Sequence, residues 1–417
     1  TRTKEVRVWI FTALVIPVSI VVAYLVFFQS IVDGYEGRAF NLVERLMTES
    51  RVLVMYLSQI IVPPVSGTGL IHDDISISRG LLSPISTLAS LLLISSLIIC
   101  SLLYRKSKPI FAFGMLWFFC GHLLESTIIP LELYFEHRNY LPMVGVLFIV
   151  CYWGVNTYNQ LNLSRVLRFG AITMPIMMLS LSAILTSQSV KVWASPQTLY
   201  TIWAMEHPNS LRANRIFGQM LDVEGAHQRA VDILLETYEK HPHDISLLLE
   251  VMNIQCNSKV NISVEFEDLI KGVGAAQYTD GISPIMHKLS DSVVLSNCTL
   301  VSKAQFHQLL LRLVNIKNIK FHKDYLADMY FLNSDIYMLE RNLDKAMGAL
   351  EKAFHYKKKI IIPLRQAELL SSAGLYEEAH KFISVAKKLD DNRSITKPSQ
   401  MNEIIKTEKI ILDIYKR

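Results

Sequence analysis

Charged residues are scarce in this chain: they make up 19% of its 417 residues, whereas soluble domains contain about a quarter. Basic residues do not form a block with interleaved aromatics, and the longest basic run is Lys357–Lys359. Such a short run is typical of a solvated helix end, so the sequence argues against nucleic-acid binding. Cysteine is also sparse, with five residues and no CxxC pair, which leaves zinc and redox motifs without support.

The five cysteines fall into two groups. Cys100, Cys120 and Cys151 lie in apolar runs, where we expect them to act as small hydrophobic residues. Cys256 and Cys298 lie in the more polar second half of the chain. Their spacing leaves two readings open, a disulfide bond or two buried thiols.

Long apolar runs occupy the region where charge is missing. A bilayer core about 30 Å thick requires roughly 20 apolar helical residues. Five segments fit this length, at 8–28, 84–104, 109–128, 141–158 and 166–187. The sequence therefore predicts a polytopic transmembrane region over residues 1–190, with an outer loop at 29–83. The chain begins without Met just before the first run, so we expect spans upstream of it.

Lysine and arginine concentrate before the first run, between the second and third runs, and between the fourth and fifth. These residues are Arg2, Lys4, Arg7, Arg105, Lys106, Lys108, Arg165 and Arg168. Because cytoplasmic loops are enriched in such residues, we expect a cytoplasmic amino terminus. Five crossings then place residues 188–417 on the outer side. The expected location is the bacterial inner membrane, with the C-terminal domain in the periplasm.

The second half of the chain shows helix-period apolar patterns separated by short polar turns. In three places a turn with Gly or Asn precedes an alanine that opens an apolar helix, at 225–230, 342–346 and 374–379. Ala346 and Ala379 are 33 positions apart, and tetratricopeptide repeats have a period of about 34 residues. The sequence predicts an all-α fold in which transmembrane helices precede a TPR-like solenoid at 191–417. Residues 256–320 lack the pattern.

A polar stretch at 125–142 lies at a predicted membrane boundary, where ionisable groups are costly unless paired or hydrated. The planar fork of Arg138 suits a phosphate or a carboxylate. We therefore select Glu136, Arg138 and Tyr140 as candidate binding residues for a lipid-linked phosphate. A Glu136–Arg138 ion pair that anchors the loop fits the sequence equally well. If residues 131–140 form a helix, Glu132 and Glu136 lie on one face.

Two features of the predicted outer loop complete the candidate site. His72, Asp73 and Asp74 suit either a plain polar turn or a divalent cation, and no metal ligand is assigned. His72 and Asp73 are also candidate substrate-binding residues. The apolar stretch 51–62 precedes two prolines and is too short to span, which indicates an interfacial or re-entrant helix. Arg45, Glu49 and Arg51 are expected at the lipid headgroups.

The run EHRNYLPMVG, from Glu136 to Gly145, resembles the E-x-x-x-Y-L-P-S-x-G segment of TPR-bearing, multi-spanning O-mannosyltransferase-like proteins of the GT-C glycosyltransferase class. The stretch 45–53, with Tyr56 and Pro63, is similar to the preceding segment of those proteins, as is the loop at 72–74. The resemblance covers roughly residues 40–150 well and the repeats loosely. Met143 stands where the family has serine, which argues against a hydroxyl role there.

The resemblance implies that a sugar passes from a polyprenyl-phosphate donor to a protein or glycan acceptor at the outer face. Glu136 and Arg138 would lie near the donor phosphate, and the repeats would bind the acceptor. The family's catalytic base is an acidic residue in the first outer loop, which we expect upstream of this chain. No catalytic residue is therefore assigned here, and no cofactor beyond the divalent cation.

Two other functions fit the sequence. One is a non-catalytic, membrane-anchored TPR scaffold for envelope or pilus assembly. The other is an enzyme similar to O-antigen ligases or polymerases. Such an enzyme would have a long outer loop with Arg and His between late spans. The loop at 129–140 is short, which counts against this alternative.

Overall fold

The computed structural model describes residues 34, 35, 38–62, 72–160, 165–258, 260, 261, 264–294, 298–317, 319, 322–392 and 399–415, and scattered positions between 4 and 22. Over these residues the regular elements are helices, and pairing between extended segments is limited to isolated bridges. The predicted all-α fold class is confirmed. The first predicted span, at 8–28, lies largely outside the described residues. The chain divides into two compact units, 1–217 and 218–417.

From residue 38 onward, the described part of the first unit contains six helices and the start of a seventh. They are α1 Leu42–Ile61, α2 Ser86–Leu103, α3 Pro109–His122, α4 Tyr140–Gln160, α5 Arg165–Trp193, α6 Pro196–Glu206 and α7 Leu211–Val223, and a 3₁₀ helix, Glu136–Asn139, precedes α4. Among the residues that the structure describes, three helical segments are long and apolar enough to cross a membrane: Ser86–Leu103, Glu136–Gln160 and Val166–Trp193. These segments lie at three of the five predicted spans.

The third predicted span, at 109–128, corresponds to a shorter helix. Helix α3 has 14 residues and ends at His122, whereas a full crossing takes about 20 residues. It packs tightly on α4, because a Cβ atom added at Gly114 would collide with the carbonyl oxygen of Gly145, and the reverse also holds. Small residues at the contact let two membrane helices approach this closely.

Helix α1 begins with a capping box. The Asn41 side chain accepts a hydrogen bond from the Glu44 amide (3.0 Å), and the Asn41 amide donates to the Glu44 carboxylate (2.9 Å). The apolar stretch predicted at 51–62 is therefore the second half of a 20-residue helix. Its buried face includes four residues at helical spacing, Arg45, Glu49, Val52 and Tyr56.

The second unit continues from α7 as a series of helices. They are α8 His227–Lys240, α9 Ser246–Asn257, α10 Phe266–Ala275, α11 Ile282–Val294, α12 Lys303–Leu313, α13 Lys323–Leu339, α14 Leu343–Tyr356, α15 Ile361–Ser372, α16 Tyr376–Asp391 and α17 Met401–Tyr415. The TPR-like pairs are clearest at α13–α14 and α15–α16. Left-handed residues form the turns, with φ of 56° at Arg341 and 82° at Gly374.

The small residues at the helix crossings are buried as the repeat pattern predicts. Ala230, Ala346 and Ala379 are each 0% exposed. Residues 256–320, which lack the sequence pattern, also fold into helices, and α10 to α12 share one apolar core with α9 and α13. A disulfide bond joins Cys256 to Cys298 within this stretch, so the first of the two readings applies.

Candidate functional site

A buried arginine organises the segment between α3 and α4. The guanidinium of Arg45 donates to the carbonyl oxygens of Glu125 (2.7 Å), Thr127 (2.9 Å) and Leu131. It also pairs with the carboxylate of Glu49 at 2.9 Å. These three carbonyls bind a side chain in place of the amides one helical turn further on. The helix considered for 131–140 does not form over residues 131–135.

Glu49 is buried with its partner. The i, i+4 spacing puts Arg45 and Glu49 on the same face of α1, and both are almost fully buried. Both side chains therefore pack inside the unit, and the expectation that they lie at the level of the headgroups stays a prediction. Burial raises the pKa of Glu49 to about 7, although the nearby charge of Arg45 acts in the opposite direction.

The raised pKa makes the stability of the first unit depend on pH. Protonated Glu49 is favoured in the folded state, so its stabilising contribution is complete below about pH 4.5 and disappears as the pH rises through about 7. As the pH rises from 5 to 7, we expect the free energy of unfolding to fall by about 1–3 kcal/mol more in the wild type than in the Glu49→Gln variant. Thermal unfolding followed by circular dichroism in detergent, at several pH values, measures the difference.

Glu44 provides a matched control on the same helix. Hydrogen bonds from Arg79 and from the Asn41 amide lower the pKa of Glu44, so it titrates below the window tested. The free energy of unfolding of Glu44→Gln should therefore change with pH between 5 and 7 as it does in the wild type. The same pH dependence in the wild type and in Glu49→Gln would contradict the prediction.

A tyrosine holds the next part of the segment. The hydroxyl of Tyr56 donates to the carbonyl of Phe135 (2.8 Å) and accepts from its amide (3.1 Å). The Tyr56 ring stacks between His122 and Tyr134, with centroids 4.9 Å and 5.1 Å away. Burial raises the pKa of Tyr134 to about 12, so its hydroxyl stays protonated. These contacts fix the start of the EHRNYLP motif against α1.

The predicted site residues lie in this part of the first unit but make different contacts from those expected. Glu136 Oε1 is 2.6 Å from His72 Nε2. Arg138 is 6% exposed; its Nε pairs with Glu125 at 2.9 Å, and its Nη1 donates to the Glu132 carbonyl at 2.6 Å. Among the ion pairs of the described residues, Glu136 pairs with His72 and Arg138 with Glu125, and the anchoring Glu136–Arg138 pair does not occur.

Asp73 and Tyr140 have separate environments. Asp73 accepts hydrogen bonds from the Ser210 hydroxyl and, at 3.1 Å, from the Arg212 amide, so it caps α7. Tyr140 begins α4 and is 67% exposed. The structure therefore gives Asp73 a capping contact and leaves the Tyr140 ring open to its surroundings.

Two arginines that the sequence reasoning did not select converge on Glu132. Arg38 and Arg212 lie 2.8 Å and 3.2 Å from the same oxygen, Oε1. Burial alone would raise the pKa of Glu132, but the two guanidinium groups outweigh it and hold the pKa below its usual value. Arg212 is 80 residues from Glu132 in sequence, so no local motif could have predicted this contact.

The folded chain is an all-helical protein with candidate membrane-spanning helices and a TPR-like helical array. No protein-family model matches it, and no curated protein matches it. A crystal structure of MamA is 18% identical over 41% of this chain and 92% of that chain, with a TM-score of 0.28. MamA 41-end from Desulfovibrio magneticus RS-1 is 13% identical over 54% of this chain and 96% of that chain, also with a TM-score of 0.28. Likenesses this low transfer no site or activity.

Proposed function

We propose that this chain acts in the transfer of a sugar from a polyprenyl-phosphate donor to a protein or glycan at the outer face of a membrane. The observation that carries the proposal is the convergence of Arg38 and Arg212 on one oxygen of Glu132. Two guanidinium groups on one carboxylate leave an excess of positive charge. This charge lies in the same stretch as the motif that resembles GT-C enzymes.

The chemistry of the pair suits a phosphodiester. Arg38 and Arg212 are 30% and 41% exposed, so each can reach a ligand from solvent. A guanidinium group offers two parallel donors to phosphate oxygens, which a lysine cannot do. Arg138 is enclosed and acts as a positioning residue, since it holds Glu125 and the backbone of Glu132 in place.

The expected sidedness agrees with the disulfide bond. Disulfides persist in oxidising compartments such as the periplasm, and the second unit carries the Cys256–Cys298 bond. The distribution of lysine and arginine around the apolar runs favours the same orientation. Both arguments support an inner-membrane protein whose C-terminal domain faces the periplasm and binds an acceptor.

Substitution of Arg212 tests the donor-phosphate role. In the intact protein and its native host, Arg212→Ala should lower glycan transfer at least about tenfold, because loss of a charged hydrogen bond costs about 1.5–3 kcal/mol. The unfolding midpoint should hardly change, since exposed ion pairs contribute about 0–1 kcal/mol. Intact mass spectrometry of surface proteins, compared with a deletion strain, measures the transfer.

Arg79→Ala is the matched control for this substitution. Arg79 also pairs with a glutamate of the same unit, Glu44, at 2.8 Å, and it is 55% exposed. Arg79→Ala should therefore leave glycan transfer at the wild-type level. Glycans that are identical in the deletion strain and the wild type would exclude sugar transfer, and full transfer by Arg212→Ala would exclude the phosphate-binding role.

A specific observation also favours the second candidate function, a TPR scaffold. Two cavities of about 810 and 470 Å³ in the second unit share Leu311 and Asn315 in their linings. Their charged lining residues are Arg312, Lys317, Glu340, Lys345 and Lys352. The excess of positive charge suits an extended acidic segment of a partner protein. A scaffold of this kind predicts unchanged glycans in the deletion strain and loss of partner co-purification.

A further inference from the structure

We propose that His72, Asp74 and His207 form a binding site for one divalent transition-metal ion, of the Zn²⁺ type. All three residues belong to the first unit. The proposal goes beyond sugar transfer and does not depend on it, because metal binding can be measured without any transfer assay. It also differs from the cation expected at His72–Asp73–Asp74, since Asp73 caps α7.

The three side chains already lie close together. One potential ligand atom from each residue lies within 4.8 Å of the other two. Asp74 Oδ2 is 2.9 Å from His207 Nδ1. The ring centroids of His72 and His207 are 5.0 Å apart, and the two ring planes meet at 87°. Zinc with nitrogen and oxygen ligands at about 2.0–2.2 Å holds those ligand atoms about 3.3 Å apart. Small side-chain adjustments therefore suffice to close the site.

The surroundings of His72 resemble those of a metal ligand. Glu136 Oε1 lies 2.6 Å from Nε2 of its ring, and the Tyr134 ring packs edge-on against it at 4.6 Å. A carboxylate on one imidazole nitrogen orients the ring and makes the other nitrogen a better ligand, and this arrangement is common in zinc sites. Glu136 is thereby assigned to the support of the site.

His207 presents one particular nitrogen to the site. Its Nδ1 atom lies 2.9 Å from Asp74 Oδ2, so Nδ1 is the nitrogen that an ion shared with Asp74 would bind. Coordination at Nδ1 leaves the ring proton on Nε2 and thereby fixes the tautomer of the imidazole.

The ligand set indicates the class of metal. Two imidazoles and one carboxylate suit Zn²⁺ and similar ions, whereas Ca²⁺ and Mg²⁺ favour oxygen ligands alone. Three protein ligands leave the fourth tetrahedral position open, which is the arrangement of sites that bind water or an anionic ligand. The site is thus suited to an oxygen ligand from outside the chain.

Metal titration of the intact chain in detergent tests the proposal. We expect the wild-type protein, stripped with a chelator and titrated with Zn²⁺ in a calorimeter, to bind one equivalent. His72→Ala and His207→Ala should each weaken this binding by at least about 100-fold, since loss of even a supporting partner costs about 10–100-fold. Co²⁺ in place of Zn²⁺ reports coordination by visible absorption.

His227→Ala is the matched control. His227 Nδ1 lies 2.7 Å from Asp222 Oδ1, so it forms a His–Asp pair like that of His207 and Asp74. His227 lies outside the proposed site, so His227→Ala should leave Zn²⁺ binding unchanged. Equal loss in His227→Ala and His207→Ala would overturn the assignment, as would wild-type protein that binds no Zn²⁺ at micromolar concentrations.

A milder variant guards against misfolding. Asp74→Asn keeps the shape of the side chain and removes its charge, so the chain should fold while Zn²⁺ binding weakens at least about tenfold. Saturating Zn²⁺ should also raise the unfolding midpoint of the wild type and not that of Asp74→Asn. Wild-type affinity in a folded Asp74→Asn variant would overturn the proposal.

Discussion

Replacement of Arg45 by lysine should lower the free energy of unfolding of the first unit by about 2–5 kcal/mol, since each buried carbonyl left without a donor costs about 1–3 kcal/mol. The Arg45 side chain is fully buried and donates to three carbonyl groups while it pairs with Glu49. A lysine ammonium is a compact point donor and cannot reproduce the fork geometry, so buried acceptors lose their partner. Chemical unfolding of the intact chain in detergent, followed by circular dichroism, measures the loss.

Hydrogen exchange localises the effect of Arg45→Lys. We expect amide protection to fall between residues 123 and 135, because their carbonyl contacts position this segment. Arg38→Lys is the control: Arg38 is 30% exposed and makes one ion pair, so its cost should stay below about 1 kcal/mol. If Arg45→Lys also lowered the free energy of unfolding by less than about 1 kcal/mol, the buried guanidinium would not be what holds the segment.

Removal of the disulfide bond in the second unit should cause the next largest loss in the free energy of unfolding. Cys256 and Cys298 are 42 residues apart in sequence, and a loop of that length is expected to contribute about 2–4 kcal/mol by restricting the unfolded chain. The double substitution Cys256→Ala with Cys298→Ala should therefore lower the unfolding midpoint of this unit. Urea unfolding of the intact chain, with limited proteolysis as a second readout, measures the change.

A free cysteine supplies the comparison for the disulfide. Cys151 is exposed and unbonded, so Cys151→Ala should leave the second unit's unfolding midpoint at its wild-type value. In the wild type, a reducing agent should lower the unfolding midpoint of the second unit as much as the double substitution does. In the double variant, the same agent should leave the midpoint unchanged. Equal midpoints in wild type and the double variant would show that the bond contributes nothing to stability.

Local patterns were sufficient for the repeats. The turns at Gly374 and around Arg341, and the alanines that follow them, are short-range features, and each controls a crossing between neighbouring helices. Local patterns do not account for residues 131–135 in the same way, because the Leu131 carbonyl there accepts a hydrogen bond from Arg45, 86 residues away in sequence. A distant side chain that takes the carbonyl groups of a segment leaves no trace in that segment's own pattern.

The candidate site was predicted less completely than the fold. The sequence pointed to Glu136, Arg138 and His72, and the structure brings Glu136 to His72 while Arg138 turns to Glu125. It gave no indication of Arg212 or His207, which lie far along the chain from their partners. Long-range contacts of this kind have no spacing rule, since each depends on how several helices pack together.

By itself the amino-acid sequence determined that this chain is all-helical, that its first half holds apolar membrane-length runs, and that TPR-like pairs follow. These properties depend on local hydrophobicity and helical periodicity, which act over a few turns. Only the tertiary structure decided that Arg45 is buried, that two arginines share Glu132, and that His207 joins His72 and Asp74. The reason is physical: charges separated in sequence are brought together only when burial of the apolar faces fixes the helices that carry them.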